Sequence, residues 1–376
     1  MARLGDICEV LNGYAFKSEK YTSSGVRIIR IANVQKGYIE DTAPAFYPID
    51  TTDIEKYTLY EDDLLISLTG NVGRVALLKK EFLPAALNQR VACLRLKDSA
   101  QYDKSFLYCF LNSDYFENKC IQSAKGVAQK NMSIEWLKEY QIPNLSLVEQ
   151  KEIAAVLNKI SELISARTMQ LSKMDMFVKS RFIELFGDPV SNSMGLPTEP
   201  MTTVCTIIDG DRGKNYPKQD EFSDTGYCLF LNAKNVTATG FSFENRMFIT
   251  KEKDDALHNG KLERGDVVLT TRGTLGNLAF YDDSVPFENV RINSGMVILR
   301  MKKSVMTEVF FMEQFKLQLQ SIKGKIASGS AQPQLPISTM NKIRILLAPM
   351  ALQEQFAAFV EQTDKSKLCG NMEAAA

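Results

Sequence analysis

Apolar residues along this chain follow two different rhythms. In residues 1–145, and again in 201–347, they come in short runs such as 27–31, 63–68, 75–78 and 91–96. Gly, Asn and Asp bound these runs, the punctuation expected of strands joined by hairpins and meanders. Helical patterns then follow, over 105–112 and 116–123 in the first stretch and over 308–323 in the second. Each stretch predicts an α+β domain.

The rhythm between them is helical and unbroken. Residues 147–186 contain no Gly or Pro. Steps alternating between four and three, starting at 153, pick out Ile153, Leu157, Ile160, Ile164, Arg167, Leu171, Met174, Val178, Arg181 and Leu185. Eight of these ten are apolar, a stripe narrow enough to be a coiled-coil seam. A helix of this length far exceeds the usual core helix. At a rise of about 1.5 Å per residue it runs about 60 Å. Gly187 stops it, with Pro189 close behind. A second, shorter helical pattern starts near Met350 and fades around Lys367, with Phe356 and Phe359 on its seam. The central helix is its expected partner. The predicted order is therefore a first head over 1–145, a spacer helix over 146–187 and a loose linker over 188–200. A second head over 201–347, a short helix over 348–368 and a tail over 369–376 complete it.

The two heads repeat one another. L-G-D-I-C-E-V-L-N-G (4–13) answers M-T-T-V-C-T-I-I-D-G (201–210), and G-V-R-I-I-R-I-A-N-V (25–34) answers G-Y-C-L-F-L-N-A-K-N-V (226–236). E-D-D-L-L-I (61–66) answers R-G-D-V-V-L (264–269), and N-Q-R-V-A-C-L-R (88–95) answers N-S-G-M-V-I-L-R (293–300). Later, G-V-A-Q-K-N-M-S-I (126–134) answers G-S-A-Q-P-Q-L-P-I (329–337), and L-V-E-Q-K-E-I-A-A-V (147–156) answers M-A-L-Q-E-Q-F-A-A-F (350–359). The offset between matching positions drifts only from 197 (Leu4 to Met201) to 205 (Asn88 to Asn293). Six blocks in one order identify a tandem duplication, in units too long for a solenoid repeat.

Composition narrows the function. Lys plus Arg equals Asp plus Glu at 45 each, so the chain lacks the basic excess of a stand-alone nucleic-acid binder. Nucleic acid would have to meet local basic patches, or a partner would supply the charge. No apolar run is long enough to span a bilayer, and M-A-R-L-G-D lacks the apolar core of a signal peptide. Seven cysteines without a C-x-x-C pair suit a reducing cytoplasm better than a disulfide framework.

Catalytic chemistry is thin. The single histidine, His258, lies in polar D-D-A-L-H-N-G and reads as an exposed loop residue, which removes His-based triads and His-metal clusters. Neither G-x-S-x-G nor the Asn/Asp-Pro-Pro-Tyr/Phe motif of aminomethyltransferases occurs. Glu61, Asp62 and Asp63 read as a solvated acidic turn at a strand start. Cys93, Cys109 and Cys120 fall on apolar patterns and read as core. No catalytic residue, metal site or bound cofactor is expected.

What does repeat is a glycine loop, S-L-T-G-N-V-G-R (67–74) against T-T-R-G-T-L-G-N (270–277). Without a P-loop Lys or a G-x-G-x-x-G pattern, a tight turn between strands explains the glycines better than a phosphate cradle. The side chains around them differ between the heads: Asn71 and Arg74 in one, Arg272, Thr274 and Asn277 in the other. Two later polar loops add Lys125, Gln129, Lys130 and Asn131, and Lys325, Gln332 and Gln334. Arg, Lys, Asn and Gln pair with guanine and adenine edges in the major groove, so these are the candidate DNA-contacting residues. A solvated polar loop is the plainer explanation of each taken alone.

Taken together, these residues resemble the DNA-specificity subunit of type I restriction–modification systems. The carriers are the L-x-x-I-x-x-V-x-x-G head openings, the glycine loops, the L/M-x-x-Q-x-x-I/F helix starts and, most specific, R-F-I-E-L-F-G-D-P (181–189). The resemblance runs from Leu4 to about Lys365. It implies two α+β target-recognition domains, each reading half of a bipartite double-stranded DNA sequence. It implies that the two long conserved helices form an antiparallel coiled coil that sets the spacing between the halves. It also implies a non-catalytic chain clamped by two methyltransferase subunits that use S-adenosylmethionine to methylate adenine N6. Restriction subunits would convert the assembly into an endonuclease. Met176, Phe182 and Phe186 are the outward apolar residues expected to dock the methyltransferases. The second helix is shorter than the family pattern, which leaves self-association through the helices open. The rival reading is a two-site ligand-binding protein or small-molecule enzyme with a coiled-coil arm. A pure scaffold would leave the divergence of the loops without a reason.

Overall fold

The computed structural model describes residues 1–49, 52–97, 101–126, 130–327 and 334–373. Two compact units divide the chain, Met1–Arg167 and Thr168–Ala376, and the boundary falls inside the long helix Leu147–Phe186. Both units are α+β, as the alternating texture of the sequence predicts.

Each head is built on a four-stranded antiparallel sheet. In the first its order is Cys8–Asn12, Val91–Leu96, Leu64–Ser67, Val75–Leu77. The second repeats it as Cys205–Asp209, Met296–Met301, Asp266–Thr270, Leu278–Tyr281. Side chains alternate between the two faces of a strand, and here both faces are covered. Leu64 and Ile66 pack with Phe106, Leu107, Leu111 and Phe116 of the helices Lys104–Leu111 and Asp114–Ser123. Leu65 and Cys93 point the other way, onto a second sheet carrying Ile29, Leu59 and Leu87. That is why these strands read as continuous apolar runs. The second sheet of each head includes one parallel pair, Val26–Ile29 with Ala85–Leu87 and Cys228–Phe230 with Val290–Arg291, so neither head is a simple meander.

Asp63 departs from the acidic turn expected of it. It is buried, takes two bonds from the Arg95 guanidinium (2.9 and 2.6 Å) and accepts from the Tyr60 N–H at 2.8 Å. Arg300 grips Asp266 in the second head in the same way, at 2.8 Å twice. The sheet register sets Leu64 opposite Leu94 and so puts Arg95 directly across from Asp63, as Arg300 lies across from Asp266. Burial then demands a bonded partner. His258 is exposed, while Cys93 and Cys120 are buried and Cys109 is half-buried.

The long helix occupies Leu147–Phe186 as its sequence requires, and a buried glutamine fastens its first turn. Gln150 accepts from the Asp103 N–H at 2.8 Å and donates to the carbonyls of Leu145 (2.8 Å) and Gln101 (3.2 Å). Gln353 does the same at the start of the helix Met350–Glu373, with the Thr307 N–H (2.9 Å) and the carbonyls of Ala348 (2.9 Å) and Val305 (3.2 Å). Both are fully buried. Gln353→Met keeps the volume but strands three backbone groups, so we expect a loss of about 2–3 kcal/mol in denaturant unfolding. A change below about 0.5 kcal/mol would show that the bonds contribute little.

Within the second unit, Met350–Glu373 lies antiparallel on the end of the long helix. Phe356 meets Phe182, Phe359 meets Phe177 and Lys367 reaches Asp175 at 2.8 Å. Of the residues named for the seam, Val178 and Phe356 are buried here, and Leu171, Met174, Leu185 and Phe359 are partly covered. Ile153, Leu157, Ile160 and Ile164 on the preceding turns are exposed. Phe182 and Phe186 correct the sequence reading. Both are fully buried against Phe310 and Phe356, because the helix Glu308–Ala327 brings an aromatic face to the end of the spacer. Met176 is exposed, as expected. Residues 188–200, expected as a loose linker, hold a bonded turn between Asn192 and Leu196 and the strand Thr198–Pro200, paired with Arg344–Leu346.

Candidate nucleic-acid interface

The glycine loops close the hairpin at one edge of each sheet, Leu64–Ser67 with Val75–Leu77 and Asp266–Thr270 with Leu278–Tyr281. Gly70, Gly73, Gly273 and Gly276 have φ of 71°, 86°, 73° and 79°, a region that side chains with a Cβ rarely adopt. A hydroxyl clamps each turn from inside. Ser67 Oγ accepts from the Arg74 N–H at 3.0 Å and donates to the Asn71 carbonyl, while Gly73 N–H reaches the Ser67 carbonyl at 3.0 Å. Thr270 repeats this with Asn277 (2.9 Å), the Thr274 carbonyl and Gly276 (2.8 Å). Gly73 also lets Cys120 approach, since a Cβ there would lie 2.6 Å from the Cys120 Cβ. Burial pushes the Cys120 thiol up to about 12, so it is packing rather than a nucleophile.

Segments far apart in sequence meet at this end of the sheet. The polar loop after Asp114–Ser123 runs beside the glycine loop, with Gly70 N–H to the Lys130 carbonyl and Met132 N–H to the Leu68 carbonyl, both 2.9 Å. Lys125 and Asn131 pair across its base. In the second head Arg272 bridges Gln334, and Leu335 N–H reaches the Thr271 carbonyl at 3.1 Å. A third segment flanks the loop from the other side, through Leu68 N–H to the Arg90 carbonyl at 3.0 Å and Thr271 N–H to the Gly295 carbonyl at 2.8 Å. The glycine ending each head-opening motif explains the fourth. A Cβ on Gly13 or Gly210 would lie 2.2 Å from the backbone of Asn88 or Asn293, so only glycine permits the approach.

The candidate side chains sort by what they already bond. Asn71, Lys125, Lys130, Asn131, Arg272, Thr274 and Gln334 are exposed. Arg74 and Asn277 are partly buried and grip the same neighbouring segment in their heads: Arg74 through Gln35, Asn277 through the Val236 carbonyl at 3.0 Å. Their first role is to tether the loop. Gln129, Gln332 and the side chain of Lys325 lie outside the described residues. The backbone of Lys325 belongs to the helix Glu308–Ala327 rather than to the loop expected there. Gln89, Arg90 and Arg212 were not singled out by sequence, yet all three are exposed on these converging segments. The signal was present in the N-Q-R against N-S-G block, where polar positions diverge between strands that do not.

Other chemistry is sparse. Among the described residues no group of three or more His, Cys, Asp and Glu is placed to hold a metal ion. A cavity of about 190 Å³ beside Tyr60 and Lys104 is lined by Asp63 and Arg95, whose charges are already spent on each other. No described helix is long and apolar enough to cross a membrane.

Comparison with known proteins agrees with this duplicated architecture. The profile of the type I restriction modification DNA specificity domain matches twice, over residues 1–173 and 201–369. The chain is similar to the type I restriction enzyme EcoAI specificity subunit of Escherichia coli, at 38% identity over 168 residues, 43% of this chain and 28% of that protein. It is also similar to the EcoBI specificity subunit of Escherichia coli, at 26% identity over 323 residues, 79% of this chain and 64% of that protein. It thus spans less than two thirds of either relative. The crystal structure of a type I restriction-modification S subunit from M. genitalium shares the fold, with a TM-score of 0.56 and 18% identity over 100% of this chain and 91% of that one. Two matches that together cover most of its length place this chain in the type I restriction–modification DNA specificity family.

Proposed function

We propose that each head reads one half of a bipartite double-stranded DNA sequence, and that the chain is the non-catalytic recognition subunit of an adenine methyltransferase complex. The observation that carries this is the pairing of an unchanging scaffold with changing side chains. The hydroxyl clamp of the glycine loop recurs, and so do its backbone bonds to the flanking segment (Leu68 to Arg90, Thr271 to Gly295) and to the polar loop (Met132 to Leu68, Leu335 to Thr271). The residues at matching positions differ: buried Thr69 against exposed Arg272, Asn71 against Thr274, Gln89 against Ser294, Arg90 against Gly295. A duplicated catalyst would keep its side chains; a duplicated reader would not. The exposed apolar residues Ile153, Leu157, Ile160, Ile164 and Met176 of the long helix offer the surface for two methyltransferase subunits, which would bind S-adenosylmethionine. Those partners would also supply positive charge that this chain lacks. A helix of about 60 Å is long enough to bridge half-sites one DNA turn, about 34 Å, apart.

The test is a methylation map of a methylation-free host carrying this chain with a methyltransferase subunit of its own source. A two-part adenine motif with a fixed gap, absent without this chain, is expected. Exchanging residues 1–145 for the head of a relative should change one half of the motif only. A coordinated change in both halves would refute the two-reader assignment, and small-molecule binding with no motif would favour the ligand-binding rival.

A further inference from the structure

The two heads carry one arginine each at the same place, supplied from different segments, the turn before Val91–Leu96 in the first head and the glycine loop in the second. The Leu68–Arg90 and Thr271–Gly295 backbone bonds are equivalent, and so are the Thr69–Asn131 and Arg272–Gln334 bridges. Arg90 therefore corresponds to Gly295, and Arg272 to Thr69. Where the first head has arginine on the flanking segment and threonine on the glycine loop, the second has glycine and arginine. The interchange is local. A Cβ built on Gly295 would lie 3.9 Å from the Arg272 Cβ, so the loss of one side chain leaves space beside the root of the other.

Both arginines are exposed, and among the described residues neither guanidinium has a hydrogen-bond or ion-pair partner. Arg74, Arg95, Arg212, Arg291 and Arg300 are each bonded within their head. Arg90 and Arg272 each also have an exposed glutamine beside them: Gln89 precedes Arg90 in the chain, and Gln334 bridges Arg272. Backbone bonds on both sides hold the root of each arginine, so little freedom remains below the side chain itself. A planar fork on a fixed base, flanked by an amide, suits bidentate bonding to guanine O6 and N7.

Resting on the DNA-reading assignment above, we infer that Arg90 and Arg272 are the corresponding specificity residues of the two heads, each reading one guanine of its half-site in the major groove. The full chain in its methyltransferase complex tests this through four single variants, Arg90→Ala, Arg90→Lys, Arg272→Ala and Arg272→Lys. Both the methylated motif and binding to duplexes with single-base changes are measured. Arg90→Ala should lose roughly 5- to 150-fold in discrimination at one guanine of one half-site and leave the other half unchanged. Arg272→Ala should do the same in the other half. The lysine variants keep the charge but should restore the discrimination only in part, because a flexible ammonium lacks the rigid planar fork that matches O6 and N7 together. A uniform loss over all sequences, with the salt slope reduced by about one, would mean a phosphate contact and overturn the inference. Unchanged motifs in all four variants would overturn it as well. A wild-type complex with no sequence motif would instead refute the underlying DNA-reading assignment.

Discussion

Phe186→Ala is expected to destabilise the second unit by about 4 kcal/mol, the middle of the range for deleting a buried aromatic ring. Phe186 is fully buried, 5.0 Å from Phe182, 4.6 Å from Phe310 and 5.6 Å from Phe356 between ring centroids. These rings come from the end of the spacer helix, from Glu308–Ala327 and from Met350–Glu373, so one truncation loosens three elements. Because the two units need not unfold together, a single melting temperature is a poor reporter. Hydrogen exchange separates them: protection should fall in 308–327 and 350–367 and persist in 64–96. Met176→Ala, on an exposed turn of the same helix, should cost under about 0.5 kcal/mol. Equal effects of the two substitutions would mean that the aromatic cluster is not what anchors the helix.

Arg291→Ala should cost the second head about 3–5 kcal/mol, the penalty for leaving a buried charge without its partner. The Arg291 guanidinium bonds the Asp254 carboxylate and donates to the carbonyls of Asn259 (2.7 Å), Asp254 (2.9 Å) and Leu257 (3.1 Å). Asp254 is 1% exposed and also takes Lys261. This knot fixes the chain that closes on Gly210 and on Asp211, which accepts from the backbone of His258 and Asn259, just before Arg212 at the candidate interface. Burial by itself would push the Asp254 carboxyl up, but the hydrogen bonds from Lys261 and Arg291 outweigh it and hold it below the ordinary range. A carboxyl depressed in the folded state adds stability that is fully present above its unfolded value of about 3.9 and is lost as pH falls through the folded value. The wild-type second head should therefore lose stability below about pH 4, and Arg291→Ala should flatten that loss. Denaturant titrations at pH 3, 4 and 7 check both statements. A variant as stable as the wild type at pH 7 would show that the pair contributes nothing net.

Much of this architecture was legible because it rests on local periodicity. The forty-residue spacer needs only an unbroken helical pattern and a Gly-x-Pro stop, and the strand Val91–Leu96 needs only an apolar run with polar ends. The repeat made each assignment twice over. The candidate interface was half legible. Residue types in divergent loops marked Asn71, Lys130 and Arg272, but could not tell a tether from a free side chain. Arg74 looked the same as Arg272 until the fold set Gln35 against it. Arg90 went unnoticed because its block reads as a strand boundary, and only the backbone bond to Leu68 places it beside the glycine loop.

The sequence by itself determined the duplication, the α+β character of the heads and the long spacer, since each is encoded within a few turns or strands of contiguous chain. Tertiary structure alone decided the fates of Asp63, Phe182 and Phe186. A carboxylate is solvated or ion-paired, and a phenylalanine outward or buried, according to what lies opposite it. That neighbour is chosen by sheet register and helix packing between residues 32 to 174 positions apart: Arg95 for Asp63, Phe356 for Phe182. The same reasoning covers the interface, where four segments distant in sequence converge only because the central sheet aligns their ends.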